Sequence, residues 1–189
     1  MVTYLDQAEL LLQNAKDKKI LLHSCCAPCS TSVLEFLMPK IGVTVFYYNP
    51  CIMPRDEYEH RLSEQARLCQ LLGVELISGK YDTDAYLALA SGLEGVPEGG
   101  DRCIRCFSLR LKETAIMAKE GGYDYFCTTL TVSPHKNAVL INEIGQQSAC
   151  EVGVPFLPSD FKKQNGYLRS IQLSKQYDLY RQGYCGCRF

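Results

Sequence analysis

The stretch KILLHSCCAPCS, residues 19–30, decides the reading of this chain. Lys19 to His23 is an apolar run of strand length. It passes into a loop carrying Cys25, Cys26 and Cys29, and a helical pattern follows from Ser30. Working outward, further apolar runs fall at 43–48 (VTVFYY), 74–78 (VELIS), 124–130 (DYFCTTL) and 154–158 (VPFLP). Between them, helical spacing predicts helices over 3–16, 30–38, 55–72, 81–90, 105–120, 136–150 and 169–180. Strands alternating with helices imply an α/β fold, a mostly parallel sheet covered on both faces that binds ligands beyond the carboxyl ends of its strands. HSCCAPC lies at one such end and TTLTVSPHKN at another. The glycine-rich SGLEGVPEGGDRC reads as a loop, and no internal repeat or low-complexity segment interrupts the pattern.

The chain has 189 residues, of which 47% are hydrophobic, enough to bury one sizeable core, and residues 1–189 are read as a single domain. No stretch approaches bilayer length, and the N-terminus mixes charge with apolar residues, so a cytoplasmic protein with no membrane partner is expected. The net charge of −1 gives no global sign of a polyanion partner. Its distribution does: residues 161–189 carry six bases against one acid, while residues 1–160 carry 14 bases and 20 acids.

Eleven cysteines in a reducing compartment argue against a disulfide framework, and the count is odd. Cys69, Cys127, Cys150 and Cys51 read as packing residues or as having no role. Seven remain in three clusters: Cys25, Cys26 and Cys29 in CCAPC, Cys103 and Cys106 in CIRC, and Cys185 and Cys187 in CGC. A C-x-x-C pair where a loop enters a helix turns two thiols to one side, and the glycine of C-G-C permits a tight bite on one metal. Structural zinc is the competing reading. Compact zinc ribbons space their pairs about 15 to 20 residues apart, whereas Cys29 and Cys103 are far more distant and the thiols exceed four. Spacing therefore favours iron–sulfur chemistry, with thiols left over for a second metal or a redox pair.

Taken together, LLHSCCAPCS, FYYNP, EGGDRCIRCFSLRL, TTLTVSPHKN, LPSDFKK, GYLRSI and the terminal LYRQGYCGC resemble, in one order over nearly the whole chain, the QueH epoxyqueuosine reductases. One departure follows Tyr48-Asn49-Pro50. The family commonly has an asparagine, an apolar residue and a polar one there, and this chain has Cys51-Ile52-Met53. The resemblance implies a Rossmann-like three-layer sandwich of the adenine-nucleotide alpha-hydrolase (HUP-like) type. It also implies a cobalamin-independent oxidoreductase that reduces epoxyqueuosine to queuosine at the tRNA wobble position. The implied cofactors are a 4Fe-4S cluster and an adjacent mononuclear metal ion, iron. The ligand candidates are Cys25, Cys26, Cys29, Cys103, Cys106, Cys185 and Cys187. Asp160 of SDFKK is the first choice for a carboxylate ligand, with Asp101 or Asp82 as alternatives. The implied partners are tRNA carrying epoxyqueuosine and a low-potential electron donor. A second metal makes chemical sense: losing an epoxide oxygen as water takes two electrons and a Lewis acid, while one cubane cluster ordinarily passes one electron at a time.

Two segments carry double readings. In the basic tail, Phe161, Tyr167, Tyr177, Tyr180 and Tyr184 interleave the charges, as where bases stack and phosphates are neutralised. With the resemblance, Lys162, Lys163 and Arg169 are the expected RNA contacts. Alternatively, Tyr177, Tyr180 and Tyr184 sit at helical spacing as an ordinary core stripe. In TTLTVSPHKN, His135 and Lys136 can donate a proton or neutralise charge, while Ser133 and Pro134 read as a helix cap and first turn. His23 is either a hydrogen-bonded strand end or a proton donor. An ATP-dependent tRNA-modifying enzyme on the same fold would need a glycine-rich loop where this chain has cysteines and proline. An iron–sulfur or zinc protein of another tRNA-modification step, a zinc-stabilised RNA-binding module and a thiol–disulfide oxidoreductase complete the alternatives.

Overall fold

The computed structural model describes residues 2–187, so Arg188 of the basic tail lies outside the described residues. Four parallel strands, β1 (Lys19–His23), β2 (Gly42–Tyr47), β3 (Glu75–Ser78) and β4 (Tyr125–Thr128), form one sheet in the order β3-β2-β1-β4. Around it lie α1 (Tyr4–Leu12), α2 (Ala27–Leu37), α3 (Arg55–Leu72), α4 (Thr83–Ala90), α5 (Asp101–Glu120), α6 (Ala138–Val152) and α7 (Gly166–Gln176). A 3-10 turn, Thr129–Val132, follows β4 directly.

Strand side chains alternate between two apolar layers, as the two-residue period of a strand requires. Ile20, Leu22, Val45 and Cys127 pack with Leu5, Leu34 and Leu68 of α1, α2 and α3. Leu21, Phe46 and Phe126 point the other way, onto Ala115 and Ala118 of α5 and Ala149 of α6. The result is a three-layer sandwich. Leu21 and Leu22 are fully buried on opposite faces, and each such side chain contributes about 1.5–3 kcal/mol.

From β1 the chain runs outward to β2 and β3, then returns through α5 to place β4 on the other side of β1. The order reverses between β1 and β4. Their carboxyl ends therefore flank the crevice where open α/β sheets take their ligands. The HSCCAPC loop leaves β1 there, and TTLTVSPHKN leaves β4 beside it.

Several elements differ from the sequence reading. The run at 154–158 makes a single bridge, Phe156 beside Phe126, rather than a strand. Pro155 and Pro158 have no N–H to continue a ladder, and the backbone bonds that form run between Phe126 and its neighbours Pro155 and Leu157. Helix α5 starts at Asp101 instead of 105, which takes Cys103 and Cys106 into its first two turns. The cap of α6 is Asn137, not Ser133: the Asn137 side chain accepts from Val139 N and Leu140 N, at 3.0 and 3.3 Å. Helix α7 spans 166–176 rather than 169–180. Gly166 opens it because a Cβ there would collide with the Phe161 carbonyl oxygen, and it stops before Asp178, whose φ is +50°. Tyr177, Tyr180 and Tyr184 consequently share no helical stripe.

Candidate metal centre

The first thiol cluster is built by the turn from β1 into α2. Cys26 is the extended N-cap residue of α2, and Pro28 fits the first turn, where no N–H is needed. The loop is tied on several sides. Ser24 and Ser30 donate to Gln65 Oε1 at 2.6 and 2.9 Å, and Asn49 Nδ2 donates to the Ser24 carbonyl at 2.9 Å. Across the crevice, Cys25 N donates to Thr129 Oγ1 at 3.0 Å, and the Thr129 hydroxyl donates to Cys25 Sγ at 3.3 Å. These ties place the sulfurs of Cys25, Cys26 and Cys29 within 4.8 Å of one another. A thiol-only donor set of that size suits zinc or an iron–sulfur cluster and not a hard, oxygen-seeking ion.

The other clusters face the same crevice. Cys25, Cys26, Cys29, Cys51 and Cys185 line a cavity of about 360 Å³. Cys103, Cys106, Cys185 and Cys187 line a smaller one of about 80 Å³. The two share Cys185, Arg110, Lys136, His135 and Glu98. Cys103 and Cys106 stand one turn apart near the start of α5, where Gly99 N donates to Cys103 Sγ at 3.2 Å. The CGC tail has no regular structure of its own. Met53 N donates to the Gly186 carbonyl at 2.9 Å, and Arg61 Nη1 donates to the Cys185 carbonyl at 3.0 Å. Gly186 is required twice over: its φ is +94°, and a Cβ would sit 2.8 Å from Arg61 Nη1.

Arg110 is the buried arginine common to both cavities. Arg110 is 3% exposed and donates through Nη2 to Asn49 Oδ1 and through Nε to His23 Nε2 at 3.3 Å, while Nη1 lies 4.0 Å from Cys106 Sγ. Burial works against its charge, but the sulfurs of Cys51, Cys106, Cys25 and Cys185 more than compensate and hold it protonated. His23 Nε2 also lies 3.1 Å from the Tyr48 carbonyl oxygen, and Nδ1 lies 2.8 Å from Thr128 Oγ1, so both ring nitrogens are engaged. Burial, and then Arg110, push the His23 pKa down to about 3. His23 is thus a neutral strand-end residue.

Each thiol group holds one acidic member. Hydrogen bonds from Cys26 and Cys29, aided by Lys136 and Arg110, draw the Cys25 pKa well down. Its thiolate pushes Cys26 up to about 12. Cys106 is lowered by its hydrogen bond with Cys51 and by Arg110, and Cys185 falls to about 5 through Cys187, Lys136 and Arg110. Burial opposes the charge on Lys136, yet the sulfurs of Cys25, Cys185 and Cys29 outweigh it and raise its pKa. Thiolates are the metal-binding form, so the crevice is poised for ligation near neutral pH.

Other residues singled out in the sequence lie as follows. His135 is exposed and lines both cavities, as does the half-buried Lys136. Asp160 is outside both walls and pairs with Lys162 at 2.9 Å. The Lys162 ammonium also donates to the carbonyls of Thr131 and Lys136, so it is turned inward. Asp82 caps α4 and pairs with Lys80, and Asp101 is exposed in the first turn of α5. The carboxylate that reaches both cavities is Glu98. Lys163 is exposed, and Arg169 forms a two-pronged surface pair with Glu35 at 2.6 and 2.8 Å. Cys69 and Cys127 are buried in the core and Cys150 is exposed. Cys51, Arg110, Arg61 and Glu98 were not signalled by spacing, since their partners are remote in sequence. Arg110, for example, lies 61 and 87 positions from Asn49 and His23.

With this geometry in hand, residues 20–189 match the family Epoxyqueuosine reductase QueH. A relative so named from Streptococcus pyogenes serotype M1 is 45% identical over 174 residues, covering 89% of this chain and 68% of that protein. One from Staphylococcus epidermidis is 45% identical over 179 residues, covering 90% and 75%. Among solved structures, the U34-tRNA thiolase NcsA from Methanococcus maripaludis with its 4Fe-4S cluster is similar, with a TM-score of 0.55. The likeness covers 95% of this chain and 64% of that one at 13% identity, and agrees with the three-layer α/β fold. Among the described residues, no helix is long and apolar enough to cross a membrane.

Proposed function

The chain belongs to the epoxyqueuosine reductase QueH family, and from that premise we propose that it reduces the epoxide of epoxyqueuosine at the wobble position of tRNA to the alkene of queuosine. Two electrons and two protons are consumed, and the oxygen leaves as water. The observation that carries the reading is the convergence of thiols from four segments on the switch-point crevice, around Arg110 and Lys136.

The donor set fits a 4Fe-4S cluster with a neighbouring iron. Cys25, Cys26 and Cys29, the converging trio at the head of α2, would supply thiolates to the cluster. Cys103, Cys106, Cys185 and Cys187 would hold the ion, with Glu98 the available carboxylate. When bound, these groups supply electrons and Lewis acidity without cobalamin. The protein's own side chains do the rest. Arg110 keeps the sulfurs ionised for ligation. Lys136 Nζ, held protonated beside the thiolates, donates toward the departing oxygen, and exposed His135 passes protons in from the mouth. The enzyme works in the cytoplasm with a low-potential electron donor, and Lys163 and Arg169, exposed on the basic tail, meet the RNA backbone once Arg169 exchanges Glu35 for phosphate.

The test is anaerobic purification with iron and sulfide analysis, then incubation with epoxyqueuosine tRNA and a strong reductant, followed by mass detection of the released nucleosides. Iron-loaded protein should convert epoxyqueuosine to the nucleoside lacking one oxygen. Equal turnover by iron-free, zinc-loaded protein, or none by the iron-loaded form, would overturn the reading.

A further inference from the structure

Tyr184 stands at the mouth of the larger cavity, next in sequence to Cys185, with 56% of its surface exposed. Among the described residues it is the only aromatic side chain more than half exposed. The ring is nevertheless held. The Arg61 guanidinium lies 5.0 Å from its centroid and is itself fixed by its ion pair with Glu57 at 2.6 Å and its bond to the Cys185 carbonyl at 3.0 Å. Arg61 is 2% exposed, so the support under the ring is rigid. A second arginine–ring pair lines the same mouth, where the exposed Arg181 lies 5.5 Å from the Tyr167 centroid.

A ring fixed on one side and open on the other offers a π-face to any base, and a cation within reach takes the phosphate next to it. We propose that Tyr184 is the stacking platform for an unpaired base of the RNA, adjoining the nucleoside that enters the cavity, and that Arg181 contacts the neighbouring phosphate. The proposal rests on the reading that the substrate is a nucleoside within tRNA. It explains why the segment carrying Cys185 and Cys187 also carries an outward-facing ring: one short stretch reads the substrate and lines the reaction cavity.

The experiment uses the anaerobically purified full chain and an unmodified anticodon stem-loop with 2-aminopurine beside the wobble position. The chain has no tryptophan, so stacking quench reports on tyrosine. Wild type should quench the probe. Tyr184→Leu should abolish the quench and raise KM for epoxyqueuosine tRNA roughly 5- to 150-fold with kcat retained, and Tyr184→Phe should restore both. Arg181→Gln should lower the slope of log K against log salt by about 0.7, the loss of one phosphate contact to a single strand. Unchanged quench and KM in Tyr184→Leu would overturn the proposal. So would loss of iron in Tyr184→Leu and Tyr184→Phe alike, because the side chain would then serve only to fold the tail. If the quench behaves as expected but no queuosine forms, the platform stands and the reductase reading fails. If queuosine forms but the quench is insensitive to Tyr184→Leu, the reductase reading stands and the platform fails.

Discussion

Replacing Arg110 with methionine keeps a long apolar stem and removes the buried cation that lines both cavities from α5. Two kinds of loss follow, and they separate with pH. The first is the hydrogen bonding to Asn49 Oδ1 and His23 Nε2, which leaves the buried Asn49 acceptor without that donor at a cost of about 1–3 kcal/mol. The second is Coulombic and exists only while the thiolates do. Removing one partner from a buried charge set costs about 3–5 kcal/mol in total. Cys106 is lowered by Cys51 and then Arg110, and Cys185, near 5, by Cys187, Lys136 and Arg110. A thiol whose folded pKa is depressed stabilises the fold above its unfolded value of about 8.5 and loses that contribution as pH falls through the folded value. The Arg110→Met deficit should therefore be about 3–5 kcal/mol at pH 8.5 and smaller at pH 5, where Cys185 is passing through its folded value and its share of the attraction is partly lost. Urea unfolding of the reduced, metal-free chain at both pH values measures it, with far-UV circular dichroism confirming that variant and wild type start folded. A deficit of the same size at both pH values would refute the assignment of Arg110 as counter-charge to the sulfurs, and a larger one at pH 5 would reverse it.

Other consequences can be checked with the same tools. His23 is buried and neutral with a folded pKa near 3, so its stabilising contribution is complete above about pH 6.5 and fades below it. The loss, on the order of 4 kcal/mol by pH 3, should appear as a steep slope of stability against pH that flattens in His23→Asn. Gly186→Ala meets both a positive φ and the Arg61 guanidinium; it should cost about 1–3 kcal/mol and make the CGC tail more susceptible to limited proteolysis, and an unchanged cleavage rate would contradict the packing described. Asn137→Ala should lower stability by about 1 kcal/mol in thermal melts, and Ser133→Ala by clearly less, because Asn137 holds the α6 cap; the reverse ranking would restore the cap expected from sequence.

Much of this arrangement could be read from periodicity and spacing because it is local. The run at 19–23 is the strand β1, and 55–72 is the helix α3, since apolar pattern and a closing glycine at 73 act within a few residues. The seven clustered cysteines likewise announced a common site, and all seven line the two cavities. What stayed hidden depends on remote partners. Cys51 reads as an isolated thiol in a proline-bounded loop until the fold sets it against Cys106. Arg110 reads as one more polar position in FSLRL, but the reversal of strand order brings Asn49 and His23 to it. Asp160 of SDFKK, the first choice for a carboxylate ligand, instead pairs with Lys162, two residues on. The tyrosine spacing of the tail suggested a helix, and the backbone at Asp178 turns the other way.

The three thiol groups are held in place by different forces, and the difference bears on how the site is assembled. Cys25, Cys26 and Cys29 stand on a turn between two elements of the central sandwich, so separating their sulfurs means disturbing β1 or α2, both fixed by fully buried side chains such as Leu22 and Leu34. Cys103 and Cys106 ride on α5, whose far end packs beneath the sheet through Ala115 and Ala118. Cys185 and Cys187 have no such foundation. From Tyr177 onward the chain is kept against α3 and its flanking loop largely by polar contacts, with Leu179 the buried apolar anchor among them: Arg67 to the carbonyls of Tyr177 and Asp178, Glu64 to Tyr180 N, Arg61 to the Cys185 carbonyl and Met53 N to that of Gly186. Hydrogen bonds of this kind contribute about 0.5–3 kcal/mol each and can open in sequence without exposing the sandwich core. The cavity therefore has two rigid walls and one detachable one, and the detachable wall carries Cys185, the thiol common to both cavities.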